Sequence, residues 1–561
     1  MAGKKILLDS PSTEPALEFR QIARGFAGII NESDPNFAIG IFGGWGSGKT
    51  TLMNAIMTEL RRHAEVITVD FNAWRFEREP QLLIPLLDTI RLAILAHAAP
   101  AIGSRAAAAN GADSYSAKAK TRRAAAARIG KVVRALAAGL SGSVGIPGAA
   151  TINYAAQPAI EALKELSDDS GAPKPDSLYV AAFTELQTAC KELMENGVGR
   201  IVVFVDDLDR CLPDGALAVL ESMKLFFDLP GFIFVVGLDE RVIHQAVRTK
   251  FAAAVADGFT PDGKPAGPVT VMDEELGQDY AKKIFQVPYT LPVILPQQLN
   301  ALLRSMYKQA GLESAQQDDI HHNVRPYLRL VAVNERINPR EVKRFINAYT
   351  LQTIVRRELE PAAVLALQTI AFRLDWQYAY DAINADPDQF VSDLRTYREG
   401  DENAFEGSLL GLEHLPAELR DYLASSLAAP IADAGSLAPY LSSLRSTRGL
   451  DPWFTDALGA LGRFHRALAA ALGAPGESET AEILMGRWEQ LRKITRDGQQ
   501  LRDKDVQNYV FSISALLEGY RSDPANSVQQ LQQALVEAAQ LRTALRLARE
   551  SVLDNRRTAS S

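Results

Sequence analysis

A glycine-rich stretch near the N-terminus has the residue types and spacing of a phosphate-binding loop. Gly43, Gly48, Lys49 and Thr50 match the pattern G-x-x-x-x-G-K-[ST]. Glycine lets the backbone curl so that successive N–H groups point inward, and the lysine reaches the β- and γ-phosphates. The threonine hydroxyl is suited to join the shell of Mg²⁺, whose other ligands are mostly water and phosphate oxygen. We expect a nucleotide to be held by the phosphate loop, which comprises Gly43, Gly44, Trp45, Gly46, Ser47, Gly48, Lys49, Thr50 and Thr51.

A second, acidic motif supplies what hydrolysis needs beyond nucleotide binding. In RIVVFVDDLDRC (200–211), five apolar residues deliver Asp206 to the carboxyl end of a buried strand, where ligands bind in open α/β sheets. Asp206 is predicted to hold Mg²⁺ through a water molecule. Asp207 is the candidate for polarising the attacking water in phosphoryl transfer. The alternative is a solvated acidic turn that caps the next helix.

Short apolar runs must position these two motifs. FAIGIF (37–42), VITVDF (66–71), IVVFV (201–205) and FIFVVGL (232–238) do not alternate, which is typical of parallel strands buried on both faces. Lys49 and Asp206 are 157 residues apart, so an additional strand fits between the two nucleotide motifs. After about Gln297 the sequence is helical almost throughout. We therefore predict an α/β domain followed by an all-α region.

Composition limits the class of protein. The 561 residues leave room for about three or four domains. The formal charge of −8 excludes a global basic field, so nucleic-acid binding would need a local patch. The two cysteines, Cys190 and Cys211, exclude a disulfide framework and favour a cytoplasmic protein. The N-terminus lacks the apolar run of a signal peptide.

Residues 114–160 contain no Asp or Glu, and they form a predicted insertion within about 100–176. The second part, residues 135–160, is uncharged for 26 residues. That length would span a bilayer, but four glycines and a proline interrupt it, which favours a helical insertion ending in a loop. The first part suits nucleic-acid phosphates or an anionic membrane surface, where association would be peripheral; a solvated helix face is the alternative. Its cations are Lys118, Lys120, Arg122, Arg123, Arg128, Lys131 and Arg134.

The C-terminal half carries no catalytic motif. Residues 352–521 are predicted to be packed helices that bind protein partners. The tail then has a near-heptad apolar seam, which either docks on the parent bundle or pairs with another chain in a homo-oligomer. We predict domains at 1–350, 351–521 and 522–561. The seam comprises Val528, Leu531, Leu535, Ala538, Leu541, Leu545, Ala548 and Val552.

Six ordered stretches, over roughly residues 14 to 350, resemble the KAP family of P-loop NTPases. They are GGWGSGKTTLMN, VDFNAWRFEREPQLLIPLL (69–87), VFVDDLDRC, FIFVVGLDERVI (232–243), YAKKIFQVPYTLP (280–292) and NPREVKRFINAY (338–349). The sequence departs from the family where many relatives carry transmembrane helices between the nucleotide motifs, since the insertion here is weakly hydrophobic and strongly basic. A smaller departure is Lys282, where relatives often carry an acidic residue.

The resemblance implies a P-loop NTPase parallel sheet with an additional strand between the Walker strands, followed by an all-α C-terminal region. It implies ATP and Mg²⁺ as cofactors, and it puts Asp239 at the end of a sensor strand. Bacterial members are associated with membrane-linked assemblies and with defence against bacteriophage. We therefore expect an ATPase that acts as a mechanical or switch component of a larger assembly. The rival interpretation is a nucleotide-gated scaffold with little hydrolysis.

The NPREVKRF segment predicts a helix that carries cations. Pro339 suits the first turn, with Asn338 as its cap. Arg340 and Arg344 are four residues apart and share a face, so the resemblance makes each a candidate to stabilise charge on the γ-phosphate. A solvated basic face is the alternative. Lys283 is a further candidate for this role. Arg75 and Arg210 are candidates either for organising the site or for acting across a subunit boundary.

Overall fold

The chain forms two compact units in a computed structural model. The sheet unit comprises Asp9–Gln309 and Asn338–Arg340, and the helical unit comprises Met1–Leu8, Ala310–Ile337 and Glu341–Ser561. The structure describes residues 4–12, 17–79, 81–98, 112–141, 178–242, 244, 281–332, 336–401, 404–405, 415–445, 452–474, 476–497, 503–523 and 527–560.

Five parallel strands form the sheet, in the spatial order β2-β3-β4-β1-β5. β4 separates the strand of the phosphate loop, β1, from the acidic strand, β3, while β2 lies between them in sequence. This order confirms the predicted α/β sheet with an additional strand. The strands are β1 (Phe37–Phe42), β2 (Val66–Asn72), β3 (Arg200–Asp206), β4 (Phe232–Leu238) and β5 (Val287–Thr290).

Both faces of the sheet are covered, which explains why the strand sequences do not alternate. Val202 and Phe204 of β3 join a core with the two helices around the phosphate loop. Val203 and Val205, which point the other way, join a larger core. The helices of the sheet unit are α1 (Phe19–Glu32), α2 (Lys49–Leu60), α3 (Leu83–Ala98), α4 (Ala112–Ser141), α5 (Leu178–Glu195), α6 (Pro213–Lys224) and most of α7 (Leu299–Ala310).

The described part of the basic insertion is the helix α4, whose apolar stripe contributes to the larger core. Two of its cations are engaged within the unit. Arg122 is buried and donates to the His97 carbonyl at 3.2 Å, and Arg128 pairs with Glu185 at 3.3 Å and Glu192 at 3.2 Å. The exposed cations are Lys118, Lys120, Arg123, Lys131 and Arg134.

The uncharged stretch, residues 135–160, begins inside α4, which ends at Ser141. Its residues 142–160 lie outside the described part of the chain. Within the described ranges, no helix combines the length and the apolar character that crossing a bilayer requires.

The helical unit confirms the predicted all-α region. One of its hydrophobic clusters is built from the last four helices and includes Phe454, Trp488 and Tyr520. Its helices are α8 (Ser314–Asp319), α9 (Arg325–Leu328), most of α10 (Pro339–Val355), α11 (Pro361–Phe372), α12 (Gln377–Ala385), α13 (Pro387–Arg398), α14 (Ala417–Ala424), α15 (Ala429–Asp433), α16 (Ala438–Arg445), α17 (Pro452–Gly473), α18 (Ser478–Asp497), α19 (Lys504–Ser522) and α20 (Val528–Ser560).

The C-terminal helix α20 docks on the helices that precede it. Docking on the parent bundle was one of the two predicted alternatives. Leu531, Leu541 and Leu545 are fully buried in the cluster with α17 and α19. Ala534 and Ala544, which lie outside the predicted seam, are buried as well, and Leu535 is only partly buried. The buried stripe is therefore wider than a coiled-coil seam, which is typical of a helix that packs on a bundle.

An extended N-terminal segment is bound within the helical unit by two amide side chains. Gln316 accepts from the Lys5 amide at 2.9 Å and donates to the Lys5 carbonyl at 2.7 Å. Asn347 repeats this pattern two residues later, accepting from the Leu7 amide at 2.7 Å and donating to its carbonyl at 2.8 Å. These bonds, with buried Leu7, fix the chain immediately before Asp9.

Candidate functional site

The phosphate loop connects the end of β1 to the start of α2. Gly46 and Gly48 have φ angles of +80° and +107°, values that a side chain makes unfavourable. The Gly43 amide donates to the Leu238 carbonyl at 3.2 Å, which holds the loop on the neighbouring strand β4. Since α2 begins at Lys49, the unpaired N–H groups and positive dipole end of that helix face the loop, as an anion site requires.

Lys49 is buried, with 7% of its side chain exposed, and folds back on its own loop. Its ammonium donates to the carbonyls of Gly43 at 2.9 Å and Gly44 at 3.2 Å. It also forms an ion pair with Asp209, whose Oδ2 lies 2.8 Å away. Sequence reasoning gave Asp209 no role. The only local signal was a third acid in the DDLD run, and nothing in that run indicates which acid reaches the lysine.

Asp206 is brought to Thr50, the residue predicted to share a metal with it. Burial raises the pKa of Asp206, and the neighbouring Thr50 side chain opposes the shift. Gly237 of β4 lies next to this carboxylate: a Cβ there would be in ordinary contact with Asp206 Oδ1, at 3.4 Å, and would overlap Met53 Sδ, at 2.6 Å.

Asp207 points to different partners from those of Asp206. Its φ of +56° is a left-handed conformation, which turns its side chain toward β2. There the Asn72 amide donates to Asp207 Oδ2 at 2.6 Å, and Arg210 Nε lies 3.0 Å from Oδ1. The Arg210 guanidinium also lies 5.3 Å from the ring centre of Trp74. Two motifs that are far apart in sequence are thus joined, and this contact of Asn72 was not predicted from the sequence.

The sensor-strand acid, Asp239, follows the last residue of β4. The Arg241 guanidinium donates two hydrogen bonds to the Asp239 carboxylate, from Nε to Oδ1 at 3.0 Å and from Nη2 to Oδ2 at 2.6 Å. Burial alone would raise the pKa of Asp239, but the hydrogen bonds and charge of Arg241, together with the charge of Lys49, lower it overall. Asp239 is therefore held as a carboxylate beside the loop lysine.

The NPR segment packs directly on the phosphate loop. Asn338 caps the first turn by accepting from the Arg340 amide at 2.9 Å, and it donates to the Trp45 carbonyl at 2.9 Å. The Arg340 guanidinium lies 4.4 Å from the ring centre of Trp45, within the range of a cation–π interaction. Its Nε lies 2.6 Å from Asp9 Oδ2.

The other predicted cations have different surroundings. Arg344 belongs to the helical unit, where it pairs with Glu341 at 3.2 Å. Lys283 and Arg75 are exposed in the sheet unit, and the Arg75 amide donates to Asn72 Oδ1 at 3.0 Å. The roles of these residues stay predictions.

The donor set fits a triphosphate and Mg²⁺. The Ser47 hydroxyl is buried in the loop and has no hydrogen-bond partner within the described residues, as expected of a group that awaits a phosphate oxygen. The residues that would hold the magnesium ion are Thr50 and Asp206, with phosphate and water as its remaining ligands.

Known proteins resemble this chain to different extents. The model of the KAP family P-loop domain matches residues 19–355. An uncharacterized protein of Methanocaldococcus jannaschii is 42% identical over 57 residues, which are 9% of this chain and 29% of that relative's length. A chain in the structure of Drosophila ORC bound to DNA is 14% identical, over 84% of this chain and 81% of that one, with a TM-score of 0.24. A score this low supports no comparison of function.

The family match takes in more than half of the chain and includes every residue of the phosphate loop and of the acidic strand. The chain therefore belongs to the KAP family of P-loop NTPases.

Proposed function

We propose that this protein binds and hydrolyses ATP with Mg²⁺, and that its nucleotide state drives its helical region as a switch or mechanical component of a larger assembly. The observation that carries the proposal is the meeting of the two motifs: the buried ammonium of Lys49, in the phosphate loop, lies 2.8 Å from Asp209, which follows the strand that ends at Asp206. A phosphate loop beside a strand-end carboxylate has the parts that position a triphosphate and its metal.

Each residue of the site has a distinct task in this proposal. The backbone amides of the loop bind the phosphates, and Lys49 leaves Asp209 to contact the β- and γ-phosphates. Thr50 and Asp206 hold Mg²⁺, which supplies neutralisation of charge on the phosphate oxygens when it is bound. Asp207 orients and polarises the attacking water. Arg340, next to the loop, neutralises charge that develops on the γ-phosphate; a correctly placed arginine is worth about 10³-fold or more in such a reaction.

A specific observation favours a second candidate, the nucleotide-gated scaffold. Both oxygens of Asp207 are engaged, one by Asn72 and one by Arg210. Because these two donors already share its charge, the Asp207 carboxylate polarises a water molecule less strongly than a carboxylate without such partners. The scaffold would bind ATP through the same loop and release little phosphate.

Turnover of the purified full-length chain separates the two candidates. Phosphate release and Mg²⁺-ATP binding are measured for the wild type, for Asp207→Asn and for Lys49→Ala. The ATPase proposal expects Asp207→Asn to retain ATP binding and to lose turnover. If the wild type binds ATP but releases no more phosphate than Asp207→Asn, the scaffold is the correct function.

Partners are proposed from the surface charge of α4 and from the family resemblance. The five exposed cations of α4 form a surface that suits an anionic partner, either nucleic acid or an anionic membrane. The helical unit has surfaces that suit protein partners. Anti-phage defence is proposed from the family resemblance alone. Flotation with vesicles of 30% anionic lipid and retention on duplex DNA, each compared with the triple variant Lys120→Glu/Arg123→Glu/Lys131→Glu, test the role of α4. Equal behaviour of the two proteins in both assays would remove the anionic partner from the proposal.

A further inference from the structure

The N-terminal segment of the sheet unit, residues 9–12, lies beside the phosphate loop. It contacts the loop directly where the Ser12 amide donates to the Thr51 hydroxyl at 3.3 Å. It also reaches the loop through Arg340, since Asp9 Oδ2 lies 2.6 Å from Nε of that arginine, which stacks on Trp45. The segment is therefore placed next to the residues that would bind the phosphates.

The place of Arg340 is fixed by close packing. A Cβ at Gly46 would lie 2.7 Å from the Arg340 Cβ and 2.6 Å from Asn338 Oδ1. The loop can therefore approach the NPR segment this closely only because position 46 is glycine. The Trp45 ring lies on one side of the guanidinium. Arg340 therefore has a defined position beside Trp45 and Gly46 of the loop.

The two partners of the ion pair between Arg340 and Asp9 differ in their exposure to solvent. The Arg340 side chain is 14% exposed, whereas that of Asp9 is 52% exposed. Nη1 of Arg340 is buried and makes no hydrogen bond within the described part of the chain. A guanidinium with an unused buried donor binds a multi-oxygen anion better than it binds one exposed carboxylate. Asp9 is half exposed, so water screens its attraction for the arginine and the carboxylate is readily displaced.

We propose that Asp9 is an internal competitor of the nucleotide: its carboxylate holds Arg340 when no triphosphate is bound, and the γ-phosphate takes its place. The inference rests on the proposed function and adds regulation of the same site. Because a diphosphate lacks the group that reaches Arg340, only a triphosphate has to displace Asp9. The N-terminal segment therefore weakens triphosphate binding selectively and is released from the loop when ATP binds.

Binding constants of the full chain for Mg²⁺ with a non-hydrolysable ATP analogue, and for Mg²⁺-ADP, test the proposal. Asp9→Asn removes the competing charge and is expected to tighten binding of the analogue by about two- to fivefold, with ADP binding unchanged. In an Arg340→Ala background, Asp9→Asn is expected to change neither constant. The matched control is Asp88→Asn, which removes a carboxylate that pairs with Arg91 at 2.7 Å in α3.

The outcomes separate failure of the inference from failure of the proposed function. Equal effects of Asp9→Asn on the analogue and on ADP, no effect on either, or an effect that persists without Arg340 would overturn the inference while Lys49-dependent binding stands. The proposed function fails if the wild type binds neither nucleotide, or if Lys49→Ala binds both nucleotides as tightly as the wild type does. The inference then fails with it.

Discussion

The ammonium of Lys49 lies 2.8 Å from a carboxylate oxygen of Asp209, three residues beyond the acid expected to hold the metal. A second cation at the loop, Arg340, pairs with Asp9 in the same way. Both cations that the proposal assigns to the triphosphate are thus neutralised by carboxylates of the chain itself. A nucleotide must displace these carboxylates, so its affinity depends on residues that never contact it.

The pair of Lys49 with Asp209 is expected to stabilise the empty site. Both side chains are less than a tenth exposed, and loss of one partner leaves a buried charge unpaired, at a cost of about 3–5 kcal/mol for full removal. We predict that Asp209→Asn lowers the free energy of unfolding by about 1–3 kcal/mol, since the amide still accepts a hydrogen bond. Asp209→Asn is also expected to tighten the binding of ATP and of ADP to the same extent, because Lys49 reaches the β-phosphate of both.

Denaturant unfolding and nucleotide titration check this prediction. The control is Glu59→Gln, which removes a carboxylate that pairs with Arg24 at 3.8 Å on the surface of the same unit. Unchanged stability of Asp209→Asn would show that the ion pair is not a feature of the folded protein.

Gly46 is expected to tolerate no side chain. Its φ of +80° costs a side chain about 1–2 kcal/mol, and the Cβ would overlap Asn338 and Arg340. Gly46→Ala should therefore lower the midpoint of thermal unfolding without nucleotide, and it should weaken ATP binding by moving the loop. Gly44→Ala is the matched control, because a Cβ at position 44 meets no atom within 4 Å. Equal unfolding midpoints for the two variants would contradict the packing described here.

Asn72 is expected to act as a positioning residue for Asp207. Its amide donates to the carboxylate at 2.6 Å, so Asn72→Ala removes one of the two contacts that set the direction of that side chain. We predict that kcat for ATP falls by roughly tenfold to a hundredfold, with little change in nucleotide affinity. The control is Asn196→Ala, because the exposed Asn196 amide donates only to the Glu192 carbonyl. A rise in kcat would instead show that Asn72 holds Asp207 in an inactive position.

The helical unit should lose stability in mild acid. Burial, and then the charges of Arg542 and Arg466, lower the pKa of His465 from 6.5 to about 4. Between these two values the unfolded chain binds a proton that the folded chain does not, so stability falls as the pH drops from 6.5 to 4. The full shift corresponds to about 3 kcal/mol, and the effect will be smaller because the ring is only partly buried.

Unfolding midpoints in denaturant at several pH values measure this effect. His465→Gln is expected to remove most of the slope between pH 6.5 and pH 4. A slope that is the same with and without the imidazole would assign the acid sensitivity to other groups.

Local patterns predicted the parts of the site, and distant contacts decided how the parts are used. The phosphate loop, its flanking strand and helix, and the strand that ends at Asp206 were all found, because each is defined by a short run of residue types. The pairing of Asn72 with Asp207 spans 135 residues, and Asp9 and Arg340 come from opposite ends of the sheet unit's sequence. The first contact depends on the pairing of β2 with β3, and the second depends on the packing of Asn338 and Arg340 beside the phosphate loop. No short run encodes either arrangement.

The same limit applies to the basic residues. The sequence indicated seven cations in the insertion, but the burial of Arg122 and the ion pairs of Arg128 follow from packing of α4 on its neighbours. Arg340 and Arg344 were equivalent candidates by spacing. Only the structure shows that Arg340 lies on the phosphate loop.

The central claim is that the phosphate loop binds a nucleotide through Lys49. Calorimetric titration of the full-length chain with Mg²⁺-ATP tests it most directly, with wild type and Lys49→Ala compared at matched helical content by circular dichroism. We predict saturable binding to the wild type at one site per chain and no measurable binding to Lys49→Ala. Equal affinity of the two proteins, or absence of binding to a folded wild type, would contradict the claim.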